Sequence, residues 1–230
     1  MPFESAGATR ALQPRLDEIT QSTRRLVQPE RLLASERLIA ELLATGIENR
    51  MLPVGTEMPG FALPDSASGR IVNSADLLAL GPLIISFFRG RWDPYCVTEL
   101  ETWRDLYPDV RRRRALLVAI SPQTLRQGDF TVQQHGLPFP LLRDADCEAA
   151  ERFGVAYDVT SEMDRYYRSI LVSLPYINSG RNVMETAAGD AGRLPLPATF
   201  LVDQQGSIRF AEGHADHRVR PEPQDILALL

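Results

Sequence analysis

Through residues 9–45 apolar side chains recur every three or four positions, at Leu12, Leu16, Ile19 and Leu26, then at Leu32, Leu33, Leu38, Ile39, Leu42 and Leu43. That period predicts two amphipathic helices. Pro29, with Gln28 before it, opens the second, and Gly46 ends it. The stretch 50–60 carries Pro53, Gly55 and Pro59 and reads as a linker. Beyond it the pattern changes. Leu83–Phe88 and Ala115–Ile120 are continuous apolar runs, as expected of strands covered on both faces. Shorter strands are expected at Phe61–Asp65, Arg70–Val72, Pro140–Leu142, Thr199–Val202 and Ser207–Phe210. Helices are expected at Ala75–Leu80 with Ser74 as its cap, at Pro94–Tyr107, Thr124–His135 and Cys147–Phe153, and at Glu222–Leu230. Residues 155–194 read as irregular, with some helical character at 163–174.

Strands that alternate with helices and finish in a hairpin and a helix indicate an α/β sheet covered on both faces. The handedness of crossovers leaves few ways to wind it. Residues 1–49 are expected to form a helical extension and residues 50–230 the main domain. The apolar stripe of the extension is too large for water, so it packs on the domain or on a second copy in a homodimer. With 230 residues, 44% of them hydrophobic, the chain can build one core.

Charge and cysteine count narrow the setting. A net charge of −5 gives no overall attraction to nucleic acid or anionic lipid. The run Arg111-Arg112-Arg113-Arg114 is a local exception that reads as a solvated helix end. The first thirty residues hold charges throughout and no apolar core, so no secretory signal is expected. The Leu83–Phe88 run is too short to span a membrane. Two cysteines are too few for a secreted disulfide scaffold, and a reducing, cytoplasmic location follows.

The chemistry concentrates in Phe87-Phe88-Arg89-Gly90-Arg91-Trp92-Asp93-Pro94-Tyr95-Cys96-Val97-Thr98-Glu99-Leu100, where a buried strand turns into a proline-led helix. This segment resembles the peroxiredoxin-like branch of the alkyl hydroperoxide reductase and thiol-specific antioxidant (AhpC/TSA) family, in which it commonly reads F-Y-R-G-G-W-C-P-Y-C-N-x-E-L. Ala119–Thr124, Leu196–Asp203, Gly206–Phe210 and Asp216–Leu227 extend the likeness over roughly residues 50–230. The resemblance implies a thioredoxin-like, peroxiredoxin-type fold. It also implies that Pro197, expected in the cis form, and Thr199 help to shape the site, together with Trp92, Pro94 and Tyr95. It places Asp93 where the family has its peroxidatic cysteine.

That exchange matters because peroxide reduction needs a thiolate, which attacks oxygen and becomes a sulfenic acid. A carboxylate cannot take that step. Asp93 can serve as an N-cap at the helix dipole, with Pro94 at the first helical position. It can instead bind a ligand or carry a proton between Arg89 and Arg91, or be an engineered replacement that imitates an over-oxidised cysteine. Cys96 is the substitute thiol. The helix terminus and the arginines favour its thiolate and Asp93 opposes it. Cys147, after Asp144 and Asp146, reads as a packing residue. His214 and His217 in one loop fit a metal poorly, so neither a metal nor a cofactor is expected. His135 reads as a helix-end residue.

Two functions compete. One is a thiol-dependent oxidoreductase with Cys96, Asp93 and Arg89 at its centre, which needs an external thiol reductant. The other is a non-catalytic protein that binds a ligand or partner through Asp93 and Arg89. Cys96 and Cys147 are not expected to form a disulfide, because the strands ahead of their helices lie two positions apart in the family's sheet.

Overall fold

The computed structural model describes residues 11–182, 186–187 and 191–230. Two N-terminal helices, α1 (Leu12–Leu26) and α2 (Pro29–Ala44), precede a short 3-10 turn at Ile47–Arg50. A hairpin follows, β1 (Ala62–Pro64) with β2 (Ile71–Asn73), and then helix α3 (Ser74–Leu78). The central elements are β3 (Leu83–Phe87), α4 (Pro94–Arg112), β4 (Leu116–Ser121), α5 (Leu125–His135), β5 (Leu141–Arg143) and α6 (Glu148–Arg152). Next come β6 (Ala156–Asp158), α7 (Ser161–Ser169), α8 (Leu174–Ser179) and β7 (Arg193–Pro195). The chain closes with β8 (Ala198–Val202), β9 (Ile208–Gly213) and α9 (Pro223–Ala228).

The main sheet runs in the order β5-β4-β3-β8-β9. Strand β3 lies parallel to β4 and antiparallel to β8. Strand side chains alternate between faces, and here both faces are buried. Ile85 and Phe87 join Val118, Ile120, Phe153 and Phe200 on one side. Ile84 joins Leu100, Trp103, Leu117 and Leu201 on the other. The register sets Ser86 beside Thr199 and Phe87 beside Ala198, at the edge of the site.

The N-terminal helices are tied to this body by polar as well as apolar contacts. Leu12 and Leu16 are fully buried and pack with Tyr95. The first amides of α1 have no local cap. They donate to the Glu222 carboxylate, Leu12 N–H at 2.8 Å and Gln13 N–H at 2.8 Å. A remote carboxylate thus fills the role a capping side chain usually plays. Glu36 on α2 pairs with Arg218, and Glu48 accepts from the Ala215 amide at 2.7 Å.

Several expectations need correction. Helix α4 runs through Pro108 to Arg112 rather than stopping near Tyr107. The buried Leu106 and Val110 on either side of Pro108 hold the last turns to the core against the missing hydrogen bond. The arginine run does fall at the helix end. Ser74 is not a cap, because its hydroxyl accepts from the Phe61 amide instead. Within 155–194 the chain forms β6, α7, α8 and β7 rather than irregular structure. Only Met163, Asp164 and Tyr167 of α7 are buried, which leaves too faint an apolar period to read. Residues 183–185 and 188–190 of that stretch lie outside the described residues. No peptide bond among the described residues is cis, so the bond into Pro197 is trans, the form a prolyl amide favours by about 0.5–1 kcal/mol. No helix among the described residues is long and apolar enough to cross a membrane.

Candidate functional site

The site forms where β3 turns into α4. Gly90 sits at φ 145°, and a Cβ there would come within 2.8 Å of the Trp92 ring nitrogen, so the turn needs glycine. Pro94 opens the helix and Asp93 caps it, its Oδ1 accepting from the Tyr95 amide at 3.0 Å. The other carboxylate oxygen, Oδ2, accepts from Arg89 Nε at 2.8 Å, from Arg89 Nη2 at 2.6 Å and from the Cys96 thiol at 3.0 Å. Arg89 and Asp93 are both buried. Burial alone would raise the Asp93 carboxyl, but the Arg89 guanidinium, with Arg220 behind it and the thiol bond, holds it well below the usual carboxylate range.

Cys96 is the neutral member of the cluster. It is 0% exposed, and its thiol is pushed up to about 12 by burial and by the Asp93 charge, against the pull of Arg220 and Arg89. Behind it lies a second buried pair. Arg220 Nε donates to Glu99 Oε2 at 2.7 Å, and Arg220 Nη2 reaches the Cys96 sulfur at 3.5 Å. Thr199 donates to Glu99 Oε1 at 3.3 Å, with the Ser86 hydroxyl 3.5 Å from the same oxygen. Burial, outweighing Arg220, raises the Glu99 carboxyl. Two compensated ion pairs therefore flank one protonated thiol.

A cavity of about 470 Å³ opens above Asp93. Its floor is Arg89, Trp92, Asp93, Pro94 and Tyr95. One wall is aromatic, with Tyr157 from β6 and Tyr166 and Tyr167 from α7. The opposite wall comes from Thr20, Thr23 and Arg24 of α1, from Val27 just after it, and from Leu32, Leu38, Ile39 and Leu42 of α2. Arg89 lies over the Trp92 ring at 4.9 Å, and the Trp92 and Tyr167 rings meet edge to face at 5.1 Å. His217 closes a corner, its ring 5.3 Å from Tyr95. Burial, with Arg89 nearby, lowers the His217 pKa, so its imidazole is neutral near pH 7. Cys96 does not line this cavity.

The sequence profile of the AhpC/TSA family matches residues 54–211. The chain belongs to the AhpC/TSA family. A putative peroxiredoxin of Mycobacterium tuberculosis is 27% identical over 139 residues, 60% of this chain and 87% of that protein. Alkyl hydroperoxide reductase E of Mycobacterium bovis is 27% identical over 172 residues, 75% of this chain and 92% of that protein. Among solved structures, peroxidoxin BcpB from Mycobacterium tuberculosis superimposes with a TM-score of 0.57 at 22% identity, covering 77% of this chain and 96% of that one. The thioredoxin-like peroxiredoxin fold of the AhpC/TSA family is thereby shown.

Within this AhpC/TSA fold the structure gathers Arg89, Trp92, Asp93, Pro94 and Tyr95 at the cavity and sets Cys96 beneath it. Pro197 and Thr199 do not line the cavity, and Thr199 instead serves the Glu99 pair. Arg91 does not flank Asp93. Its guanidinium stacks on the Phe130 ring at 4.4 Å. Cys96 and Cys147 are free thiols, and β3 and β5, the strands ahead of their helices, lie two positions apart in the sheet. Cys147 is buried, and its thiol is raised by burial and by Asp144, whose carboxylate caps α6 through the amides of Ala149 and Ala150. His214 pairs with Glu212 at 3.1 Å, away from the cavity. His135 ends α5 and lies 3.1 Å from Glu101. Sequence reasoning missed Arg220, Tyr157, Tyr167 and the cavity role of His217. No local motif marks them, because the fold brings them in from distant elements.

Proposed function

We propose that this chain is a peroxiredoxin-like protein that has exchanged peroxide turnover for binding of a ligand over the Asp93 and Arg89 pair. The observation that carries this reading is the bonding of Asp93. Its Oδ2 accepts three donors and its Oδ1 a fourth, so the acceptor sites of the carboxylate are filled within the fold and it serves as a fixed structural anion. It cannot lose two electrons to a peroxide as a thiolate does. The one thiol nearby is protonated, covered and out of the cavity. A sizeable cavity above a charge-neutral floor suits binding. A reducing cytoplasm suits two thiols that are both free.

A second reading keeps thiol chemistry at Cys96 with an external thiol reductant. It is favoured by one observation, the Arg220 guanidinium 3.5 Å from the sulfur, which would support a thiolate once Asp93 moved away. One experiment separates the two. Peroxide consumption is followed with a small dithiol as reductant, and the native protein is titrated with a thiol reagent from pH 6 to pH 10. The binding reading expects no turnover above the reductant alone and an unreactive Cys96 throughout. Turnover, or a thiol that reacts near neutral pH, would hand the site to the second reading.

A further inference from the structure

The floor of the cavity carries charge, but its cation and its anion are spent chiefly on each other. Arg89 gives Nε and Nη2 to Asp93, and its Nη1 lies 3.4 Å from the Tyr167 hydroxyl. At the rim, Arg218 is held by Asp216 at 2.8 Å and by Glu36 at 3.0 Å. An anionic ligand would be stripped of water against Asp93, and a cationic one against Arg89, with no unspent countercharge on the floor for either. Arg24 also lines the cavity, but it is an exposed residue whose guanidinium keeps its water. Apart from it and the hydroxyls of Thr20, Thr23 and Ser35, the surface that remains is aromatic on one side and aliphatic on the other, with the neutral His217 between them.

Val27, Ile39 and Leu42 lie outside residues 54–211, the part that matches the AhpC/TSA family. The enclosure over Asp93 is therefore made by the extension, and its ligand is set by that wall as much as by the family's floor. From these observations we infer that the cavity takes an uncharged, aromatic small molecule. Its ring lies against Trp92 and Tyr167, and a hydroxyl or carbonyl group meets the His217 imidazole. Ring edges and faces favour such partners, and the volume is that of a small-molecule site. The inference rests on the binding reading above and names the class of ligand.

The test uses two fluorescent probes with the same aromatic body, uncharged N-phenylnaphthylamine and its anionic relative anilinonaphthalene sulfonate. Each is titrated into the full-length native protein. The uncharged probe should bind at least about tenfold tighter than the sulfonate, and quench the Trp92 fluorescence as it fills the site. Ile39→Trp, which fills the aliphatic wall, should weaken the uncharged probe by about tenfold or more at an unchanged melting temperature. Ser35→Trp at the rim serves if that variant does not fold. Equal or tighter binding of the sulfonate, or binding that survives both substitutions, would overturn this inference and leave the binding reading standing. Failure of both probes to bind would overturn the two together.

Discussion

The floor and the helical wall of the cavity are built on opposite terms. The floor is a short segment, Arg89 to Cys96, whose centre is a buried cluster of Arg89, Asp93 and Cys96 bonded to one another. The wall is two helices held on by apolar contact and a few remote polar ties, such as the Glu222 cap of α1. A saturated polar cluster fails steeply when one member is removed, because the others stay buried without a partner. An apolar wall fails by degrees, by the volume lost. The floor therefore determines which chemistry is possible, and the wall determines what fits.

The sharpest way to break this contrast is to return a thiol to the floor. Asp93→Cys should raise peroxide reduction by orders of magnitude. The new sulfur would sit at the helix N-terminus beside Arg89, a field that favours a thiolate. It would attack the peroxide O–O bond, release the alcohol or water and become a sulfenic acid. Cys96, one turn on, would then be placed to condense with it. Hydrogen peroxide consumption by parent and variant under one dithiol measures this. A folded but inactive variant would mean that the floor has diverged beyond one residue.

Next in size is the loss of the floor's cation. Arg89→Ala leaves the Asp93 carboxylate buried without its partner and should cost about 3–5 kcal/mol. Denaturant unfolding would show it, and Arg89→Ala with Asp93→Ala together should recover part of the loss. Full additivity of the two would deny the pair its role. The wall should respond less. Leu16→Ala removes a fully buried side chain between α1 and Tyr95 and should cost about 2–4 kcal/mol. Cutting the chain before Glu48 should lower the melting temperature further, and an unchanged value would make the helical pair a dispensable appendage.

The smallest effect is a pH dependence at the join of floor and wall. His217 faces Arg89, Asp93, Arg220 and Asp216, and its pKa is lowered in the folded protein. The unfolded chain takes up a proton at its ordinary value near 6.5, while the folded one does not. Stability should therefore fall as pH drops below about 6.5, by roughly 1–2 kcal/mol at pH 5. His217→Gln should flatten that limb in a series of thermal melts, and an unchanged slope would place the titration elsewhere. On the alkaline side the raised Cys96 thiol adds stability that is lost as pH rises from its ordinary range toward about 12.

Sequence alone determined the alternation of strands and helices, the two amphipathic helices ahead of them and the motif that places Asp93 at a helix start. Each is a local matter. Apolar runs such as Leu83–Phe87, a proline at the first helical position and a capping carboxylate act within a few residues of one another. Even the inability of Asp93 to reduce peroxide is legible, because it belongs to the chemistry of a carboxylate. The state of Cys96 was not legible. From sequence the dipole and the arginines pulled one way and Asp93 the other, and only burial, with Arg91 turned away onto Phe130, decided for the protonated thiol. The same holds for Arg220 on Glu99, for Glu222 on α1 and for the trans bond into Pro197. The Arg220 and Glu222 contacts join residues more than a hundred positions apart. A buried charge takes its energy from what surrounds it in space, and that neighbourhood exists only once the chain has folded.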